Sequence, residues 1–64
     1  MKREAFLREL RKLARARGLE VEVLANRGKG SHCRIKVGDR FTTLKSGDLT
    51  PRYMALVRKQ LGLD

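Results

Sequence analysis

The sequence predicts an α+β fold in which a helix, three antiparallel strands and a second helix follow one another along 64 residues. Three observations predict it. Apolar residues recur at helical spacing near both ends, two segments between them alternate apolar and charged residues, and glycine or proline stands at the junctions. A three-stranded antiparallel sheet with two helices packed on one face would bury the apolar residues and leave its other face open. We expect one domain, residues 1–64.

The first predicted helix is the segment REAFLRELRKLARARG. At about 100° per residue, Phe6, Leu10 and Leu13 share one side of it. The opposite side carries the basic residues Arg8, Arg11, Lys12 and Arg15. Gly18 is placed to end the helix in the left-handed conformation that helix C-termini commonly need.

A period of two begins at residue 19. The apolar residues Leu19, Val21 and Val23 alternate with two glutamates, as in a strand buried on one side. The segment NRGKGS then breaks the pattern and predicts a loop.

The second alternation predicts an inward face of Cys33, Ile35 and Val37 and an outward face of His32, Arg34 and Lys36. The short Gly38-Asp39 connector joins it to RFTTL as a hairpin. We expect Arg40 and Thr42 on the same open face as His32.

The last segment predicts a helix with Thr50 as N-cap and Pro51 as its first residue. Gly62 would end it. Its inward stripe consists of Met54, Val57 and Leu61.

Charge points to a polyanionic partner. Sixteen Lys and Arg against seven Asp and Glu give a formal net charge of +9, a field that attracts nucleic acid. A soluble basic protein without a nucleic-acid partner could have the same composition, so the positions of the charges along the sequence have to distinguish the two. Between residues 27 and 45 one acid, Asp39, accompanies six basic residues: Arg27, Lys29, Arg34, Lys36, Arg40 and Lys45.

Neither disulfides, structural zinc sites nor membrane anchors are expected. Cys33 is the only cysteine and His32 the only histidine, so neither a disulfide nor a zinc ligand set can form within the chain. No apolar run reaches the length of a signal sequence or a membrane span. We expect a cytoplasmic protein without a metal or cofactor.

The loop before His32 favours phosphate binding. Gly28 and Gly30 let backbone amides approach an anion, and Lys29 adds a charged donor. A histidine exchanges a proton near neutral pH, which is what attack by an RNA 2′-hydroxyl on its phosphate requires. A lone histidine is also common as a solvated surface residue, and a glycine-containing loop of this kind is also common as a plain hairpin turn.

Other candidates have simpler interpretations. Cys33 and Tyr53 are expected to pack, and Phe6 and Phe41 to be buried. With one histidine, the complementary acid or base would be a lysine, Tyr53, Ser31, water or the substrate.

The sequence also resembles a known family. GSH at 30–32, the basic hairpin after it, SGDL at 46–49 and a final helix ending KQLGL at 59–63 are similar, in order and length, to the HicA toxins of HicAB toxin-antitoxin systems. The similarity covers nearly the whole chain. It implies a double-stranded-RNA-binding-like fold with the element order predicted above.

The resemblance also implies an activity. HicA proteins are mRNA interferases, endoribonucleases that act without a metal. His32 would be catalytic, and Gly30 and Ser31 would shape its loop. The implied partners are mRNA and a HicB-type antitoxin that covers the active surface.

The leading hypothesis is therefore a metal-independent endoribonuclease with His32 as general acid or base. Its predicted RNA-binding residues are Arg27, Lys29, Arg34, Lys36 and Arg40. Two alternatives stay open: a non-catalytic RNA-binding module of the same fold that recognises A-form duplex, and an interaction protein that docks an acidic partner.

Overall fold

The computed structural model describes residues 1–24 and 32–64 of the chain. The elements are α1 (Arg3–Ala16), β1 (Val21–Leu24), β2 (Cys33–Val37), β3 (Arg40–Leu44) and α2 (Pro51–Gln60). The strands form an antiparallel sheet of order β1-β2-β3. The predicted α+β fold of order α-β-β-β-α, the topology expected of a double-stranded-RNA-binding-like domain, is confirmed.

Both helices pack on the same face of the sheet. Phe6 and Leu10 of α1 and Val57 of α2 are buried together with the β2 residues Ile35 and Val37. The buried cluster comprises Phe6, Leu10, Ala14, Ile35, Val37, Leu44, Leu49, Val57, Leu61 and Leu63. At about 1.5–3 kcal/mol for each large apolar side chain removed from water, this cluster is the main favourable term in folding. The other face of the sheet is uncovered by either helix.

Glycine ends both helices in the same way. Gly18 has a φ of 72°, and the amides of Gly18 and Leu19 donate to the carbonyls of Arg15 and Ala14 at 3.0 and 2.8 Å. Gly62 also has a φ of 72°, with equivalent bonds from the 62 and 63 amides to the carbonyls of residues 59 and 58. Both are Schellman motifs, in which a left-handed residue lets the last turn of a helix bond its own carbonyls.

The start of α2 is capped as predicted. The Thr50 hydroxyl accepts a hydrogen bond from the Tyr53 amide at 3.1 Å, and Pro51 is the first helical residue. A cap of this kind satisfies an amide that has no partner within the helix.

The β2–β3 connection is a tight hairpin. Val37 pairs directly with Arg40, so Gly38 and Asp39 form a two-residue turn. Gly38 has a φ of 62° and no residue other than glycine has a positive φ among those described. A positive φ at the first turn position alone is the pattern of a type II′ turn, which matches the twist of antiparallel strands.

Strand β1 is less buried than the alternation predicts. It begins at Val21, so Leu19 lies outside the strand and completes the end of α1 instead. Val23 pairs with Ile35 and faces the helices, yet its side chain is 45% exposed. A four-residue strand at the edge of the sheet has a neighbour on one side only, which leaves its apolar residues partly open.

Three core residues, Leu49, Leu61 and Leu63, lie outside the helices and strands. The Leu49 amide donates to the Met1 carbonyl at 2.8 Å, and Lys2 forms an ion pair with Asp48 at 3.3 Å. These contacts hold the segment before α2 against the start of α1 and bury Leu49. Within residues 1–24 and 32–64, no helix is long and apolar enough to cross a membrane.

Candidate functional site

The face of the sheet opposite the helices is mixed: it carries two cations of β2 and also the apolar Leu24, which pairs with Arg34. The strand register places Arg34 and Lys36 of β2 beside Phe41 and Thr43 of β3 on this face, with Glu22 of β1 opposite Lys36. Directly paired residues in antiparallel strands project to the same side, and neighbours along a strand to opposite sides. We call this surface the open face.

His32 stands at the end of the open face. It is exposed and directly precedes β2, two residues before Arg34. Its neighbour Cys33 faces the core, so continuing the alternation of β2 by one residue carries the His32 side chain toward the open face. His32 therefore directly precedes the strand that carries the two basic residues.

Arg34, Lys36 and Phe41 form a contact group that we call the open-face cluster. The Arg34 guanidinium carbon lies 5.2 Å from the centre of the Phe41 ring, and the Lys36 ammonium nitrogen lies 5.6 Å from it. Both distances are within the range at which a cation is attracted to the electron-rich face of an aromatic ring. The ring thus helps to hold two cations on the open face.

The prediction that Phe41 is buried is wrong. Its side chain is 48% exposed, whereas the other phenylalanine, Phe6, is fully buried as predicted. A signal for this was present in the sequence. Because Gly38 and Asp39 make a two-residue turn, the residue after it must share the face of Val37, and Phe41 must take the opposite one.

The prediction that Arg40 and Thr42 share the open face is wrong for the same reason. Arg40 pairs with the buried Val37 and Thr42 with the buried Ile35, so both project toward the helices. The Thr42 hydroxyl donates to the Gln60 side chain of α2. Arg40 remains exposed, but it runs along the end of α2, where a Cβ added at position 62 would meet its Nε at 3.2 Å.

Cys33 faces inward, as predicted. It is partly buried against the core and pairs with the buried Leu44. The Arg3 guanidinium donates to its sulfur at 3.8 Å. This contact links α1 to the start of β2, directly beside His32.

Tyr53 packs rather than offering an open ring. Its hydroxyl donates to the Thr43 carbonyl at 3.1 Å and accepts from the Lys45 amide at 3.2 Å. The Lys45 ammonium lies 4.7 Å from the centre of its ring. These contacts tie α2 to the end of β3.

The predicted basic side of α1 is exposed on a different surface. Phe6, Leu10 and Ala14 bury one side of the helix, and the cations occupy the other. The exposed cations are Arg8, Arg11, Lys12 and Arg15. They belong to the helix layer, so they lie on a separate surface from the open-face cluster.

The remaining predicted site residues lie outside the described residues. These are the cations Arg27 and Lys29 and the loop residues Gly28, Gly30 and Ser31. Within residues 1–24 and 32–64, no group of three or more His, Cys, Asp or Glu side chains is arranged to hold a metal ion.

Comparison of the chain with protein-family models, with curated proteins and with solved structures gave no significant match.

Proposed function

We propose that the protein is a metal-independent endoribonuclease that holds mRNA on the open face and uses His32 as general acid or base. The observation that supports the proposal most directly is the placement of its only histidine at the head of β2. The outward residues of that strand, Arg34 and Lys36, are cations on a face that neither helix covers. In the proposed reaction, His32 transfers a proton and the cations of the neighbouring strand bind phosphate.

The chemistry follows from RNA itself. The 2′-hydroxyl attacks the adjacent phosphorus, the bond from phosphorus to the 5′-oxygen breaks, and a 2′,3′-cyclic phosphate forms. One proton leaves the 2′-hydroxyl and one is added to the 5′-oxygen, so a base and an acid are both needed. His32 fills one of these roles, and water or a lysine fills the other. Arg34 and Lys36 stabilise the charge that builds on the phosphoryl oxygens.

The proposal includes a biological setting. As a toxin of the HicA type, the protein would cleave mRNA in the cytoplasm and be held inactive by a HicB-type antitoxin bound over the open face. The net charge of +9 suits an acidic partner as well as RNA. Such a partner would neutralise the cations and exclude RNA from His32.

A second candidate is a non-catalytic RNA-binding module. The exposed cations of α1 favour it, because they are four basic side chains spaced along one side of a helix in the fold expected of a duplex-binding domain. This candidate predicts salt-sensitive binding of duplex RNA without strand scission.

Cleavage of a labelled mRNA in EDTA separates the two candidates. We expect the parent protein to leave cyclic phosphate ends, and His32→Ala to cleave about 100- to 10,000-fold more slowly, the usual contribution of general acid–base catalysis. His32→Ala should still bind the RNA. Arg34→Gln should weaken binding and reduce its salt dependence by about one phosphate contact.

The matched control for Arg34→Gln is Arg52→Gln, which removes an exposed cation from the helix layer. We expect it to cleave at nearly the parent rate. Equal cleavage by the parent protein and His32→Ala would contradict the catalytic role. Binding by both without cleavage would favour the RNA-binding module.

A further inference from the structure

Phe41 is an aromatic residue that lies outside the hydrophobic core. It projects from the open face, opposite Lys36, and its side chain is 48% exposed although eight large side chains are fully buried on the other face. Moving an aromatic side chain out of water is among the largest single gains that a small core can make. At position 41 the ring stays half-exposed, so only part of this stabilisation is obtained.

The surroundings of the ring are asymmetric. On the β2 side, Arg34 and Lys36 approach within 5.2 and 5.6 Å of the ring centre. On the other side, β3 is the edge of the sheet, and Phe41 lines a groove with Thr43, Tyr53 and Leu56. The two cations therefore lie over the ring on the β2 side, and the side away from β2 borders an open groove.

We infer that Phe41 is a stacking platform for an unpaired RNA base, with Arg34 and Lys36 holding the adjoining phosphates. Aromatic rings beside cations bind single-stranded nucleic acid in this way, because every base has a flat face and every nucleotide a phosphate. In a duplex both faces of each base are covered by neighbouring pairs. The substrate is therefore single-stranded RNA; this inference rests on the proposed function and makes its substrate class more specific.

The spacing of the cluster suits a nucleotide. Phe41 is directly opposite Lys36 and diagonal to Arg34, so the three side chains stand on adjacent strands within one or two residue steps. Strands lie about 4.8 Å apart and same-face residues along a strand about 6.6 Å apart. These distances are comparable with the separation between a base and its flanking phosphates.

The test measures binding with cleavage removed. Fluorescent 2′-O-methyl RNA has no free 2′-hydroxyl to attack, so the parent protein binds it without cutting. Three probes of equal length are compared at one salt concentration. They are a single strand, the same strand paired with its complement, and a single strand in which every base is absent. Binding is followed by fluorescence anisotropy for the parent, Phe41→Leu and Phe41→Tyr.

We expect Phe41→Leu to weaken binding of the single strand by about 5- to 150-fold, the range for stacking of one base on an aromatic ring. Duplex and base-free probes should bind Phe41→Leu and the parent equally. Phe41→Tyr should restore single-strand binding, because it keeps the ring. The salt dependence should not change, because no charge is removed.

Leu56→Ser is the matched control. Leu56 lines the same groove and is 51% exposed, but it is aliphatic and lies on α2. We expect it to bind the single strand within about twofold of the parent, since it offers no flat face to a base.

Equal losses on all three probes would overturn the inference, because Phe41 would then act only by positioning the cations. An unchanged affinity of Phe41→Leu for the single strand would overturn it too. Failure of the parent to bind any RNA at low salt would remove the proposed function and this inference together. Probe-selective binding without cleavage of natural RNA would uphold the stacking role and remove only the catalytic one.

Discussion

Gly18 shows how a single residue fixes a helix end. Its φ of 72° lies in the left-handed region, and a Cβ added there would meet nothing within 4 Å. A side chain at this position would therefore be costly only because of the backbone conformation, which disfavours residues other than glycine.

We predict that Gly18→Ala lowers the free energy of unfolding by about 1–2 kcal/mol, the cost of a left-handed conformation in a residue with a Cβ. Urea unfolding followed by circular dichroism measures this change. Gly18→Asn is the control, because asparagine tolerates the left-handed region better and should lose less. An alanine variant as stable as the parent would contradict the strain argument.

The residues of the site were only partly predictable from the sequence. The alternation in CRIKV assigns Arg34 and Lys36 to one face without ambiguity, because Ile35 and Val37 must go to the core. RFTTL is ambiguous, because Phe41 and Leu44 are three positions apart and cannot share a face. Only the pairing across the two-residue turn decides that Leu44 is buried and Phe41 exposed.

At the scale of elements, Tyr53 links α2 to the end of β3. Its hydroxyl bonds the Thr43 carbonyl of this edge strand and the amide of Lys45, the residue directly after it. Edge strands leave such groups without strand partners. The tyrosine thus supplies a side-chain partner where the sheet ends.

We predict that Tyr53→Phe lowers the free energy of unfolding by about 1 kcal/mol, the usual net contribution of a hydrogen bond. Amide hydrogen exchange should accelerate more at Lys45, which loses its acceptor, than at Ile35 in the middle of the sheet, where the change reports only the lower global stability. NMR measures both rates in the same sample. A Lys45 rate equal to that of the parent would show that the hydroxyl does not protect the strand end.

The helices were more predictable than the edge of the sheet. Thr50 with Pro51, and Gly18 and Gly62, are local signals whose effects need no distant partner. Burial in β1 depends instead on what lies beside the strand. Val23 has the correct alternation but remains 45% exposed, because the sheet ends there.

At the scale of the whole molecule, repulsion among cations opposes folding. The net charge of +9 is carried by a body of 32 × 24 × 17 Å. The Debye length is about 30 Å at 0.01 M salt and about 8 Å at 0.15 M. Low salt therefore lets nearly every charge act on every other, whereas physiological salt limits repulsion to close neighbours.

We predict that the melting temperature rises as sodium chloride increases from about 0.01 to about 0.15 M, because screening relieves this repulsion more than it weakens the few exposed ion pairs. Thermal unfolding followed by circular dichroism measures the shift. Arg11→Glu lowers the net charge by two and should show a smaller rise. A melting temperature that falls with salt would mean that attractive pairs dominate.

The architecture as a whole followed from period and length. Two helical stripes and an alternating middle segment have few ways to bury their apolar residues in 64 positions, and the α-β-β-β-α sheet with both helices on one face is the simplest. The burial of Leu49 and Leu63 could not be predicted from the sequence. Both residues lie outside the helices and strands, so their burial depends on the path of the chain beyond those elements.

The two-residue turn at Gly38 has a consequence for how this protein can change over generations. Pairing across the turn places the open-face cluster and the core on alternate residues of the same two strands. Inserting or deleting one residue in the turn would shift β3 by one position relative to β2 and exchange its two faces, sending Phe41 inward and Leu44 outward. The surface can therefore diversify by substitution, while the length of this turn is held constant by the core.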